Sequence, residues 1–140
     1  MKKIIVLLTF FMTSCLHNVD EVIDKSYLII DNFYTNVEST SYDSILLMFH
    51  EEITENNIKK ESIISNLQLA REKFGKYKSH KFFRHSVSYS SDNLANVYLE
   101  FEVTYEKIKT VEKIILIENQ KKELKIASYT LASIDSTKKH

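Results

Sequence analysis

The sequence predicts an α+β domain in which two to three amino-terminal helices precede and pack on a four-stranded antiparallel sheet. Three observations lead there. The apolar period is three to four residues up to Gly75 and two residues after it. Between Ala95 and Tyr105 apolar and polar side chains alternate without a break, as in a strand with one dry and one wet face. The chain has one glycine and no proline in 140 residues, a scarcity of breakers that favours long regular elements over low-complexity or disordered segments.

The elements follow in order. Val19, Val22, Ile23, Tyr27, Ile30, Phe33, Tyr34 and Val37 mark an amphipathic helix, with Asn18 or Asp20 as cap and the Ser39-Thr40-Ser41 cluster ending it. Tyr42, Ile45, Leu46, Met48, Phe49 and Ile53 predict a second, shorter helix, broken by Thr54-Glu55-Asn56-Asn57. Ile58 to Phe74 reads as a third, closed by Gly75, since glycine alone adopts a positive φ at no steric cost. Strands are predicted over Lys78 to Ser88, Ala95 to Tyr105, Thr110 to Glu118 and Leu124 to Ile134, separated by the turns Ser91-Asp92-Asn93, Lys107 to Lys109 and Asn119 to Glu123. Ile114-Ile115-Leu116-Ile117 fills both faces of its strand, which predicts a central place, with something packed on each side or a bent sheet wrapping its own helices.

Ahead of this domain, Lys2 and Lys3 precede the apolar run Ile4 to Met12, which is too short to span a bilayer and suits a signal peptide. Met12-Thr13-Ser14-Cys15 resembles the lipobox of bacterial lipoproteins. The resemblance implies cleavage after residue 14, acylation of Cys15 with palmitate-type chains, and a durable tether at the cell membrane or outer membrane, on the extracytoplasmic side. The expected organisation is a signal peptide over 1–14, a lipidated spacer over 15–18, one domain over 19–134 and a polar tail over 135–140. The mature chain keeps 126 residues (140 less 14), with 17 basic side chains after the loss of Lys2 and Lys3 against 19 acidic ones. A net charge near −2 offers nothing to attract nucleic acid. Cys15 is the only cysteine, so an internal disulfide and a cysteine metal cage are both excluded.

From residue 19 to 134 the order of elements, with the junction Arg71-Glu72-Lys73-Phe74-Gly75-Lys76-Tyr77-Lys78-Ser79-His80, resembles the nuclear transport factor 2-like, or cystatin-like, superfamily. The resemblance implies helices lying in the palm of a curved sheet. It brings no single activity, because that superfamily includes isomerases and dehydratases as well as binding proteins.

Chemistry is sparse in the sequence. His50-Glu51-Glu52-Ile53-Thr54 begins like a zinc protease motif but has Thr54 where a second histidine is needed. His80 and His85, five apart on one strand, are expected on opposite faces unless a bulge intervenes. Glu100 and Glu102 share a face, read as a solvated one rather than an acid and base pair. No catalytic, cofactor or metal residues are assigned. Phe33, Phe49, Phe82 and Phe101 are the candidate lining of a pocket between helices and sheet, with core packing as their ordinary role. The expected function is a tethered, non-catalytic module that binds a partner protein of the cell envelope. The alternative is a carrier or sensor of a small apolar ligand, and an isomerase or dehydratase comes third.

Overall fold

The computed structural model describes residues 19–133, in which four helices are followed by four strands. Asn18 and the segments expected as signal peptide (1–14), lipidated spacer (15–18, with Cys15) and tail (135–140) lie outside the described residues. The first helix, α1 (Val19–Glu38), carries Asp20 and Glu21 in its first turn, where unpaired backbone N–H groups favour negative charge. Its buried stripe is Ile23, Ser26, Ile30, Phe33 and Tyr34. Ser26 satisfies its hydroxyl within the helix by donating to the Val22 carbonyl at 2.7 Å.

The expected helix from Tyr42 to Ile53 is two short ones, α2 (Tyr42–Leu46) and α3 (Glu51–Thr54). A long-range contact divides them. The Ile126 N–H donates to the Met48 carbonyl and the His50 N–H donates to the Ile126 carbonyl, both at 2.9 Å. These bonds make a parallel bridge of Phe49 to Ile126, and backbone groups so engaged are withdrawn from a helix. His50 leaves the bridge in extended conformation and caps α3, its ring accepting from the Glu52 N–H.

Helix α4 (Asn57–Phe74) starts on Asn56, whose side chain accepts from the Lys59 N–H at 3.1 Å. It ends on Gly75 at φ +83°, where an added Cβ would lie 2.8 Å from both Cβ and Oε2 of Glu106. The breaker at this boundary is therefore required by close approach as well as by backbone angle. Only Leu67 and Ala70 of α4 are buried, so this helix is attached by a narrow stripe.

The strands β1 (Tyr77–Tyr89), β2 (Ala95–Tyr105), β3 (Lys109–Glu118) and β4 (Leu124–Ser133) form one antiparallel sheet in sequence order. On β2 every second residue from Ala95 to Tyr105 is buried, as its alternation predicts. The β3 strand is central, and its two apolar sets separate: Ile114 and Leu116 face the helices, while Ile115 is 38% exposed on the outer face. The sheet is thus open on one side. Register shifts at Tyr77/Ser79, Phe82/Arg84 and Ile115/Leu116 mark the irregularities that bend strands in a curved sheet of this kind. Its inner face and the helices enclose one continuous core that includes Ile30, Phe33, Ile45, Phe101, Ile114 and Leu116, all without exposed surface.

Candidate functional site

The inner face of β3 carries Thr110 and Glu112 in line with Ile114 and Leu116, and period-two geometry buries all four. Glu112 is a carboxylate with no exposed surface, paired across the sheet with Phe101 on β2 and Leu131 on β4. Among the described residues it has no Lys or Arg partner. Four hydroxyls converge on it instead. Its Oε1 accepts from Tyr105 at 2.8 Å and from Thr110 at 2.9 Å, and its Oε2 accepts from Tyr129 at 2.9 Å and from Tyr34. An ionised carboxylate has about four acceptor positions, so this cage fills them. Burial pushes the Tyr34 and Tyr129 phenols well above their ordinary value, and the negative charge of Glu112 adds to the shift. Tyr105 moves the same way for the same reasons. All three remain protonated donors at any physiological pH.

The cage joins α1, β2, β3 and β4 through one side chain. Chemically it is closed, since a carboxylate acting as a base needs an acceptor position within reach of a substrate proton.

A second polar string runs beside it. Asp31 on α1 contacts Nε2 of His80 at 3.0 Å, and the Tyr77 hydroxyl lies 2.8 Å from Nδ1 of the same ring. With Asp31 accepting, a neutral His80 carries its proton on Nε2 and takes a hydrogen bond from Tyr77 on Nδ1. The Tyr77 ring stacks on Tyr34 at 4.8 Å and 16°, which links string and cage. Burial, and after it the charge of Asp31, raises the Tyr77 phenol.

His80 and His85 do not lie on opposite faces. Phe82 pairs with Phe101 and Arg84 with Glu100, so Phe83 is an extra residue. The resulting bulge resets the alternation, and His80 and His85 oppose Val103 and Leu99 on the helix-facing side. They remain separate, because His85 Nδ1 pairs with the Tyr27 hydroxyl at 3.1 Å while His80 is held by Asp31 and Tyr77. Among the described residues no three potential ligands cluster as a metal site would require. Glu100 and Glu102 share the outer face, but each has its own cations: Arg84 at 3.5 Å and Lys113 at 3.9 Å for Glu100, Lys109 at 2.9 Å for Glu102. The Glu100 side chain keeps only 11% of its surface exposed, so the solvated reading holds for Glu102 and fails for Glu100.

Of the four candidate pocket phenylalanines, Phe82 and Phe101 pack together with ring centres 5.4 Å apart. Phe33 meets Tyr34 at 5.1 Å and Tyr129 at 5.3 Å. Phe49 sits at the bridge to β4 and edges a surface groove of about 460 Å³ beside Leu47 and Lys125. A second groove, of about 400 Å³, runs between α4 and β4, walled by Leu69, Lys73 and Phe74 and floored by Tyr129. Phe33, Phe82 and Phe101 line neither.

Sequence reasoning missed Glu112 and its donors. One signal was present: Glu112 shares parity with Ile114 and Leu116, so an inward strand face necessarily takes the carboxylate in with them. Nothing local marks Tyr34, 78 positions away, as its partner.

No protein-family model matches the chain, and no curated protein matches it. Solved structures do. Aln2 from a Streptomyces species is 13% identical, with a TM-score of 0.56 over 81% of this chain and 90% of that one. ActVI-ORFA from Streptomyces coelicolor is 12% identical, with a TM-score of 0.54 over 83% of this chain and 97% of that one. At such identity the likeness concerns architecture alone, and the architecture of this chain is the nuclear transport factor 2-like α+β fold.

Proposed function

We propose that the protein is a lipoprotein, acylated on Cys15 and held on the extracytoplasmic side of a bacterial cell membrane or outer membrane, whose domain is a non-catalytic module binding a partner protein of the envelope. The observation that carries the module reading is the filled interior. The space between helices and sheet is occupied by Phe33, Tyr34, Phe101 and their neighbours, and the fully buried carboxylate of Glu112 has every acceptor position taken by protein hydroxyls. Binding is thereby left to the surface, where Leu28, Leu47, Ile58 and Phe83 are large apolar side chains more than half exposed. The Cys15 part rests on the residues before it, and no helix among the described residues is long and apolar enough to cross a membrane.

Two experiments test this. Growth with an alkyne-bearing palmitate should label the protein, and Cys15→Ser should abolish the label and release the protein from membranes; labelling that survives the substitution refutes the anchor. Photo-crosslinking residues placed at positions 28, 47, 58, 69 and 83 of the full chain in cells should capture a protein of defined mass at one or a few of them. Capture of nothing at every position, together with a co-purified small molecule in native mass spectrometry, would favour the carrier reading. That alternative draws its support from the groove between α4 and β4, whose volume falls in the range of small-ligand sites.

A further inference from the structure

We propose that the groove between α4 and the outer edge of β4 takes an extended, acidic segment of a partner protein, which joins the sheet as an added strand and sets a carboxylate against Lys73. This rests on the interaction-module reading and gives it a site.

The geometry begins with residues 129–131, three consecutive positions of β4 that line the same groove. Neighbouring side chains on a strand point to opposite faces, so a groove touching all three follows the backbone edge and not one face of the sheet. β4 is last in the strand order, and an edge strand presents N–H and C=O groups that a further strand satisfies. The same edge already accepts such pairing from within the chain, where Phe49 forms its parallel bridge to Ile126 through two bonds of 2.9 Å. Past that bridge, among the described residues, no strand continues the pairing. Three strand residues give about 10 Å of edge, enough for three or four residues of an incoming chain.

The opposite wall is helical. Asn66, Leu69, Ala70, Lys73 and Phe74 lie at steps of three and one along α4, a single face turned to the strand edge. Leu69 is 45% exposed and offers an apolar contact without filling the groove. Among the described residues Lys73 has no acidic partner and no carboxylate lines the groove. A strand edge for main-chain pairing, facing a helix that reads alternate side chains, is the arrangement of peptide recognition by strand addition. Lys73, the one charge among the described residues of its wall, selects an acid.

The probe is a phage-displayed library of random dodecapeptides, selected on the full chain in detergent micelles, followed by anisotropy of a fluorescent synthetic peptide of the selected consensus. The expected consensus alternates apolar residues with Asp or Glu. Methylating alternate amide nitrogens of that peptide should weaken it at least tenfold, since each methyl removes a main-chain donor and obstructs pairing with the strand edge. Lys73→Glu, at an exposed position, should weaken it roughly three- to tenfold and turn a fresh selection toward basic residues. Hydrogen exchange of β4 should slow when the peptide is bound. Selection of no peptide, or of peptides indifferent to both methylation and Lys73→Glu, overturns the site. So does a peptide that binds more than tenfold tighter once residues 134–140 are deleted, because the groove would then belong to the chain's own tail. If such a failure is accompanied by cross-linking of a protein at positions 28, 47, 58 or 83, the module reading stands without this site; if no position captures a protein, both fall.

Discussion

Replacing Tyr34 by Phe removes a single oxygen from the centre of the protein and leaves the ring in place. The ring keeps its stack on Tyr77 at 4.8 Å and its edge contacts with Phe33 at 5.1 Å and Phe101 at 5.7 Å. What disappears is the hydroxyl donation to Oε2 of Glu112, which keeps the Tyr129 bond there and the Tyr105 and Thr110 bonds on Oε1. A hydrogen bond to a charged acceptor contributes about 1.5–3 kcal/mol, and here neither partner meets water, so Tyr34→Phe should cost about 2 kcal/mol. With a urea slope of about 1–3 kcal/mol per molar for a domain of this size, the midpoint should fall by roughly 1 M at unchanged slope. Tyr27→Phe is the control. Its hydroxyl bonds His85 at an exposed site, and losing it should cost under about 0.5 kcal/mol. In a Glu112→Gln background the Tyr34→Phe cost should shrink by at least about 1 kcal/mol, the coupling expected of residues in one network. A Tyr34→Phe protein as stable as the parent, or a cycle without coupling, would refute the caged carboxylate as the element that joins α1 to the sheet.

Glu112→Leu keeps the volume but orphans four hydroxyls at about 1–3 kcal/mol each, at least about 4 kcal/mol in total, which should leave a substantial unfolded fraction by far-UV circular dichroism; a native-like melt would argue that the hydroxyls have other partners. Alkaline pH gives a separate test. Tyr34, Tyr105 and Tyr129 have folded values above the unfolded value of about 10, so stability is complete below that pH and is lost as pH rises beyond it. Absorbance at 295 nm should therefore show these three ionising together with loss of the fold, and independent titration of all eight tyrosines in a folded protein would contradict the burial described. Gly75→Ala, at φ +83° and with its new Cβ 2.8 Å from Glu106, should lower stability by about 1–3 kcal/mol, read as a fall in melting temperature of roughly 5–15 °C. Deleting Phe83 should be far more damaging than Phe83→Ser: the side chain is 54% exposed, but its backbone is the extra residue that sets the parity of His80 and Phe82. Urea midpoints of the two variants decide this, and equal values would contradict a bulge that sets the register.

Most element types, and the dry faces of α1 and β2, were legible in the chain alone. Gly75 separates the two periods, and the alternation from Ala95 to Tyr105 names every second residue of β2 as buried, because both signals record how a side chain relates to its own backbone. Phe33 and Phe101 were legible as inward residues for the same reason. Three features depend on contacts between distant segments. The helix expected over Tyr42 to Ile53 is divided because Ile126 takes hydrogen bonds that local pattern would have assigned to a helix. His80 and His85 share a face because one extra residue, opposed to nothing on β2, shifts the register between them. Glu112 is buried as a caged anion because hydroxyls from α1, β2 and β4 arrive at its two oxygens from positions as far as 78 residues away. Periodicity is a property of one segment. Register and hydrogen-bond partnership are properties of pairs of segments, and no single segment carries the information that chooses its partner.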